Sequence, residues 1–416
     1  MIGLFKGWPQ RLFLIPIFLY GTYPLIPERY ESFLPISLLL VSALFYFKTP
    51  KKEVLFRPFL ILSSLFFIYI LSFAFSSDLT YGLKKIETSL SLIVAPMCYF
   101  LLLRKYPVNF EIVKTVFQKV FFTANIVYAS LFLYLMQFYK SPKFLFNDSS
   151  FIRSAVNDIP FVGEHPMYIS IFFSLGIMCG LSLISDSRKP LCKLFLLSGV
   201  LFMAGTLIAI MSKGIIIALI SAVFSTWFLW LKGRGKIKII MALIAILLLI
   251  LLIPKQNNRF YEMIDKQSFE KIDLNNSTNV RFHIFKASVQ LIKESPIFGY
   301  GIGDAQNELD KKYISMGLNL PKGKFNSHNQ YLFICLNSGL VGLIIFLSSM
   351  AYIIAVAFLK KDYFFFGVVI FFLVAFLFEN ILSRQSGVIL FSFLISTHVL
   401  HNLNEIIEVG RKTRFY

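Results

Sequence analysis

The chain has 416 residues, 57% of them hydrophobic and only 15% charged, and its mean hydropathy is +0.71. Soluble globular proteins carry roughly 25% charged residues, so this composition excludes a water-soluble enzyme and a disordered chain. A net charge of +19 would suggest a nucleic-acid partner in a soluble protein, but here the basic residues lie in short clusters between apolar runs. This arrangement predicts an integral membrane protein that contacts membrane lipids and has no nucleic-acid partner.

Apolar runs long enough to cross a membrane recur along the whole chain. A helix that crosses about 30 Å of hydrocarbon needs roughly 20 mostly apolar residues. By this measure the sequence predicts an all-α integral membrane protein with about twelve transmembrane helices. The predicted spans are 11–28, 33–48, 57–76, 86–104, 115–138, 165–185, 190–211, 213–231, 238–253, 330–358, 362–380 and 386–401.

The distribution of Lys and Arg residues predicts how these spans are oriented. If the N-terminus lies inside, the inner connecting segments hold far more basic residues than the short outer segments. Lys and Arg residues next to transmembrane helices are concentrated on the cytoplasmic side. Both termini are therefore expected in the cytoplasm.

One connection is much longer than the others. Residues 254–327 separate the ninth and tenth predicted spans, and connections of this length inside a compact protein are usually functional. We therefore expect transmembrane helices one to nine in 1–253, a large outer loop with short helices in 254–327, and helices ten to twelve with a cytoplasmic tail in 328–416.

The second half of this loop contains a predicted amphipathic helix. After Arg281, the apolar residues Phe282, Phe285, Val289 and Ile292 recur at helical spacing, which predicts that they form one face. A proline and several glycines over 296–303 then end the helix. Such a helix is expected to lie on the outer membrane face or over the helix bundle.

Several polar residues near the outer ends of spans need an explanation. Charged side chains at the edge of the hydrocarbon cost a few kcal/mol each, so they tend to be paired or functional. These residues come from distant parts of the chain and are expected to line one outward-facing cavity. They are Glu164, His165, Lys213, Arg281, His328, Asn329, Glu379 and Arg384.

Simpler roles are also consistent with the sequence. Lys213 and Arg384 can extend to the outer headgroups, as long basic side chains do at helix ends. Glu379 and Arg384 can form a structural ion pair, and His165 can serve only to begin a helix. His398 and His401 lie near the opposite, cytoplasmic end, where they are expected at the membrane interface.

The sequence around His328 resembles the signature of bacterial O-antigen ligases. His328-Asn329 is followed, after nine residues, by Gly339-Leu340-Val341-Gly342, which is similar to the pattern His-[Asn/Ser/Gln]-x9-Gly-x-x-[Gly/Thr/Tyr]. Upstream, Arg281-Phe282-His283 and the stretch from Pro296 to Gly303 are similar to the family's Arg-led helix and its Pro-x-x-Gly-x-Gly turn. Further similar segments are His165-Pro166-Met167-Tyr168 and Glu379 to Gly387, so that the resemblance covers about 160–400.

This resemblance implies a fold, a reaction and a location. The fold would be of the glycosyltransferase-C-like kind, in the bacterial inner membrane with the active site facing the periplasm. A glycan would pass from undecaprenyl pyrophosphate to an acceptor hydroxyl, with no cofactor and no required metal. In ligases the acceptor is a lipid A–core sugar, and in polymerases it is another lipid-linked glycan.

The resemblance also assigns roles to individual residues. His328 would be the catalytic base, and Arg281 would stabilise the leaving pyrophosphate with its planar guanidinium. Where the family usually carries Ser-Arg-Gly, this chain has Ser212-Lys213-Gly214, and lysine retains the charge but lacks the bidentate geometry. The remaining predicted substrate-binding residues are His165, Arg384, Glu379 and Asn329, with Arg384 a candidate for the missing guanidinium.

Within this superfamily, the histidine signature favours a ligase over an O-antigen polymerase. A protein O-oligosaccharyltransferase and a twelve-helix transporter are the remaining alternatives. A transporter of that kind is built from repeats with its site near the middle of the membrane. This chain shows no visible repeat, and its polar residues gather at one predicted surface, so the sequence favours a glycosyltransferase.

Overall fold

A computed structural model gives the architecture. It describes residues 8–47, 56–103, 109–139, 164–230, 269, 276–318, 320–323 and 325–412. Within these ranges all extended regular structure is α-helical. The helices are α1 (Trp8–Gly21), α2 (Phe33–Phe47), α3 (Phe56–Leu62), α4 (Ser64–Phe73), α5 (Leu79–Ser89), α6 (Ser91–Leu103), α7 (Phe110–Tyr139), α8 (Pro166–Asp186), α9 (Pro190–Ile210), α10 (Lys213–Trp230), α11 (Ser277–Glu294), α12 (Ala305–Ser315), α13 (Gln330–Leu359), α14 (Tyr363–Ala375) and α15 (Gln385–Lys412).

Five of the described helices are long and apolar enough to cross a membrane, namely α7, α8, α9, α13 and α15. The pair α3 and α4 would form a sixth span, bent by 56°. The chain is therefore an all-helical membrane protein, as the composition predicts. The total of twelve spans stays a prediction, and the predicted span 238–253 lies outside the described residues.

Two of the predicted spans are divided in the structure. Span 57–76 breaks at Ser63, between α3 and α4, and the Ser64 hydroxyl beside the break contacts the Ser349 hydroxyl of α13 at 2.7 Å. Span 86–104 begins in the middle of α5, which carries Lys84, Lys85 and Glu87, and its apolar part is α6. Both differences arise where polar residues interrupt an apolar run.

The centre of the bundle is dense with aromatic side chains. Helix α15 is the most enclosed of the candidate spans, followed by α8. On α15, Phe393 stacks on Tyr20 of α1, with ring centroids 3.8 Å apart and planes at 8°, and contacts Phe117 of α7. Large aromatic side chains bury much apolar area, and this packing holds the ends of α8 and α15 in place.

Helices α11 and α12 pack on each other and on the start of α13. Their buried face consists of Val280, Ile284, Ala287 and Leu291, which meet Leu309 of α12. The predicted helix is confirmed, but the side that it packs against the bundle differs from the predicted apolar face. Phe282 and Phe285 are 38% and 49% exposed because residues spaced by three and four positions from Val280 face the bundle instead.

The glycine-rich turn after α11 joins this helix to α13 through backbone hydrogen bonds. The N–H of Tyr300 donates to the carbonyl of Leu336 (2.7 Å), and the N–H of Leu340 donates to the carbonyl of Pro296 (2.8 Å). At this contact α13 is kinked at Gly339, whose φ is 63°. A Cβ at Gly339 would overlap the carbonyl group of Ile297, which explains the need for glycine there.

A second contact fastens the turn to the rest of the bundle. The Asp304 carboxylate accepts hydrogen bonds from the backbone N–H groups of Ser77 (2.6 Å) and Asp78 (2.9 Å), between α4 and α5. Together the two contacts hold the turn that follows α11 against α13 and against the α4–α5 connection.

Candidate active site

The start of α11 presents Arg281 to one end of the helix bundle. The side-chain oxygen of Asn276 accepts hydrogen bonds from the backbone N–H groups of Thr278 (2.9 Å) and Asn279 (3.2 Å), which satisfies donors that a helix start leaves unpaired. One turn later, the Arg281 guanidinium donates a hydrogen bond to the Glu379 carboxylate. Glu379 thus pairs with Arg281 rather than with Arg384.

His328 also contacts the Glu379 carboxylate. Its backbone has a φ of 44°, a conformation that few non-glycine residues adopt. Its N–H donates to the side-chain oxygen of Asn326 (3.0 Å), and the next residue, Asn329, begins α13. This turn places the imidazole Nδ1 2.9 Å from Oε2 of Glu379. Such strained residues cluster at functional sites, where the surrounding structure holds them in place.

Glu379 lies between these two partners, four residues beyond the end of α14. Its side chain is 10% exposed, and each carboxylate oxygen contacts one of them. Burial raises the pKa of Glu379, but Arg281, His328 and His165 outweigh burial and lower that pKa to about 2. The ionised carboxylate accepts the Nδ1 proton of His328, which leaves Nε2 to accept a proton from another molecule.

Lys213 approaches this arrangement from the other side. Helix α9 ends at Met211 in the left-handed conformation (φ 54°), so the chain reverses and α10 begins at Lys213. The side chain is buried, and its ammonium donates to the hydroxyl of Thr278 at 2.8 Å. Lys213, Arg281 and Glu379 therefore converge from three separate parts of the chain.

These residues line a cavity of about 50 Å³. Ligand pockets usually have volumes of about 300–1,000 Å³. The cavity therefore accommodates only a small group, such as part of a phosphate, and most of any lipid-linked substrate would lie outside it.

His165 and Glu164 lie at the start of α8, beside the cavity. Nδ1 of His165 accepts a hydrogen bond from the backbone N–H of Met167 at 3.4 Å, so this histidine begins the helix, as its simpler role predicts. It is also close enough to contribute to the lowered pKa of Glu379. Burial raises the pKa of Glu164 to about 7, against the opposing effects of the His165 backbone N–H and of Arg384.

The Asn329 amide is engaged within the protein at both ends. Its oxygen accepts from the N–H groups of Tyr331 (2.9 Å) and Leu332 (3.1 Å), and its nitrogen donates to the carbonyl of Leu377 at 3.1 Å. Asn329 therefore caps the start of α13 and links this helix to the segment that follows α14. Its predicted role in substrate binding stays a prediction.

Thr278 was not predicted from the sequence as part of this site. The polar run Asn276-Ser277-Thr278 before an apolar helical pattern is a helix-start signal. Recognising it would have placed Thr278 and Arg281 one turn apart on the same face of α11.

The fold and this charged arrangement define an all-helical membrane protein with a buried carboxylate, a histidine and two basic side chains at one end of its helices. Residues 198–347 match the family model described as O-antigen ligase. This match supports the resemblance around His328 to the O-antigen ligase and polymerase superfamily, whose members are glycosyltransferase-like enzymes. No curated protein matches the chain.

The matched range contains Lys213, Arg281, His328 and Gly339. Glu379 and His165 lie outside it on either side. The family match therefore does not include them, and only the folded structure brings them near His328.

Proposed function

We propose that this protein is an O-antigen ligase. It would transfer a glycan from undecaprenyl pyrophosphate to a hydroxyl of a lipid A–core sugar, on the periplasmic face of the bacterial inner membrane. The observation that carries this proposal is the contact of Glu379 with both His328 and Arg281. One carboxylate thereby orients both a base and a cation, and the carboxylate and the cation line the small cavity.

The proposed reaction needs one proton acceptor and stabilisation of one leaving group. The acceptor hydroxyl attacks the anomeric carbon of the donor sugar, and its proton passes to Nε2 of His328. The bond between that carbon and the pyrophosphate oxygen breaks, and the electron pair leaves with undecaprenyl pyrophosphate. Arg281 and Lys213 stabilise the negative charge that develops, because fixed cations in a poorly hydrated site do so better than water.

The same chemistry serves an O-antigen polymerase, which differs only in its acceptor. Deletion in the native host followed by gel analysis of lipopolysaccharide distinguishes the two. We expect core lipid A without O-chain, together with accumulated long lipid-linked polymer. Core carrying a single repeat unit would identify a polymerase instead. An unchanged pattern of lipopolysaccharide bands on the gel would contradict both the ligase and the polymerase.

Replacement of Lys213 by methionine tests whether its charge matters. Methionine is nearly the same length, so it preserves the packing of a buried side chain while removing the ammonium that lies against Thr278. We expect transfer to fall at least tenfold in a membrane assay with lipid-linked donor. Lys213→Arg should retain activity or raise it, and a Met variant as active as the wild type would remove Lys213 from pyrophosphate binding.

Glu379→Gln tests the proposed positioning of His328. Glutamine has the shape of glutamate but no charge and only one acceptor oxygen. Arg281 therefore loses its ionic partner, and if the amide oxygen faces Arg281, the amide nitrogen faces the imidazole and selects the other tautomer. By analogy with the orienting carboxylate of a catalytic triad, we expect kcat to fall by about 10²- to 10⁴-fold with little change in KM. A purely structural role would instead lower the amount of folded protein and leave the kcat of the remainder unchanged.

The lowered pKa of Glu379 also predicts a pH dependence of stability. A carboxylate whose pKa is lowered on folding stabilises the protein above its ordinary pKa and loses this contribution as the pH falls through the folded value. Removing one partner of a buried pair costs about 3–5 kcal/mol. Wild-type protein should therefore lose stability between about pH 4.5 and pH 2 more steeply than Glu379→Gln, as measured by thermal unfolding in detergent.

A further inference from the structure

A second and larger cavity lies at the opposite end of the bundle. Helix α8 runs from the candidate active site at His165 to Asp186, and its 21 residues correspond to about 30 Å, one hydrocarbon thickness. There, the ends of α7, α8 and α10 and the α13–α14 turn enclose about 380 Å³. This volume lies within the range of ligand pockets, and none of the proposed transfer chemistry uses it.

The floor of this cleft is a buried set of hydrogen bonds around Asp362. One of its carboxylate oxygens lies 3.0 Å from Nδ1 of His398 and the other 3.8 Å from the Lys114 ammonium. His398 is 2% exposed and stacks on Phe365, with ring centroids 4.8 Å apart. His398 is therefore enclosed by the bundle and bound to a carboxylate, and its expected depth at the membrane interface stays a prediction. The charge of Asp362 is balanced locally by Lys114.

The mouth of the cleft carries charges of both signs. Lys360 and Lys361 come from the α13–α14 turn, while Glu111 of α7 and Asp186 of α8 line the same cavity. Because Asp362 and Lys114 balance each other in the floor, the mouth carries two positive and two negative charges among the lining residues that the structure describes. A strongly anionic ligand such as a nucleoside diphosphate would meet two carboxylates there. A ligand that carries one charge of each sign is complementary.

The surroundings of the mouth are apolar. Phe358 and Leu359, which directly precede Lys360, are 57% and 74% exposed, and Phe228 and Leu229, which follow Trp227 of the cleft wall, are 42% and 40% exposed. Exposed aromatic and aliphatic side chains at the end of membrane-crossing helices are suited to lipid contact. The cleft therefore opens where a lipid headgroup would lie.

We propose that this cleft binds the headgroup of a zwitterionic phospholipid that carries a phosphate and a free ammonium group. The phosphate lies against Lys360 and Lys361, and the ammonium lies between Glu111 and Asp186. In the orientation expected from the distribution of basic residues, the lipid belongs to the cytoplasmic leaflet. The proposal requires only that the chain spans a membrane, so it stands or falls independently of the proposed glycan transfer.

Fluorescence of Trp227 measures occupancy directly, because its indole lines the cleft. The chain has three tryptophans, so Trp8→Phe and Trp230→Phe leave Trp227 as the only one. Purified protein in detergent is titrated with phosphatidylethanolamine or phosphatidylglycerol brominated near the headgroup. We expect the ethanolamine lipid to quench at several-fold lower concentration, and equal or stronger quenching by the glycerol lipid would overturn the proposal.

Charge variants test the arrangement at the mouth. Asp186→Lys should reverse the preference towards the anionic lipid, and Lys361→Asn should weaken phosphatidylethanolamine binding about fivefold, since each basic residue near a membrane surface contributes about that factor. Asparagine tolerates the positive φ of 55° at position 361. The matched control is Lys189→Asn, an exposed lysine between α8 and α9 that does not line the cleft.

Two further outcomes would overturn the proposal. If Lys361→Asn and Asp186→Lys behave like the Lys189→Asn control, the four charges do not select the ligand. If soluble phosphoethanolamine displaces the brominated lipid at equal concentration, the cleft recognises a soluble phosphate ester and not a lipid.

Discussion

His328→Ala should reduce glycan transfer by about 10²- to 10⁴-fold while the protein remains in the membrane in normal amount. This is the range that general base catalysis contributes to enzymatic reactions. Alanine removes the only group in the proposed mechanism that accepts the proton of the acceptor hydroxyl. The measurement is transfer of glycan from a lipid-linked donor in membranes that contain equal amounts of wild-type and variant protein.

His283→Ala provides the matched control for this substitution. His283 lies two residues after Arg281 on α11, and residues two positions apart on a helix face different directions. Its ring contacts Phe282, with centroids 5.4 Å apart, and it does not line the cavity of the candidate site. Transfer should stay within about twofold of wild type. If His328→Ala were also active at that level, His328 would not be the base.

Gly339→Ala should prevent accumulation of folded protein. The residue has a φ of 63°, and its Cβ would overlap the carbonyl of Ile297. Relief of this overlap requires loss of the hydrogen bonds that Leu340 and Val341 donate to the carbonyls of Pro296 and Ile297. With about 1–3 kcal/mol for a backbone conformation that is essentially restricted to glycine (φ 63°, ψ −166°) and about 1–3 kcal/mol for each of the two hydrogen bonds lost, we expect a loss of about 5 kcal/mol.

Gly205→Ala is the corresponding control. Gly205 lies in the interior of α9, and a Cβ built there meets no atom within 4 Å. Alanine should be neutral or stabilise the protein by about 0.5–1 kcal/mol, because it restricts the unfolded chain. Thermal unfolding in detergent compares the two variants. Equal stability of both would contradict the proposed backbone contact between the turn and α13.

The Gly339 contact gives a physical account of the spacing in the signature. His328 precedes α13 and Gly339 lies within it, about three turns further along. The glycine admits the turn that follows α11, and that turn fixes the helix whose first residues include Arg281. The signature therefore contains both the proposed catalytic residue, His328, and the glycine, Gly339, whose contact with the turn positions Arg281.

Long apolar runs without polar interruptions could be located from the sequence to within one residue. Spans predicted at 165–185, 190–211, 213–231 and 330–358 correspond to α8, α9, α10 and α13. Their position follows directly from hydropathy, since each run is as long as the membrane is thick. The predicted span 362–380 was less accurate, because α14 ends at Ala375 and the chain then turns back towards α15.

Composition, hydropathy and the spacing around His328 are thus sufficient to predict a helical membrane protein that resembles the O-antigen ligase superfamily and to propose Lys213, Arg281 and His328 as site residues. Which of these residues meet cannot be predicted in this way, because Arg281, His328 and Glu379 come from three separate segments and contact depends on helix rotation. Rotation also exposes Phe282 and Phe285 and buries His398 against Asp362. Hydropathy is a property of single segments, whereas these pairings depend on how several helices pack against one another.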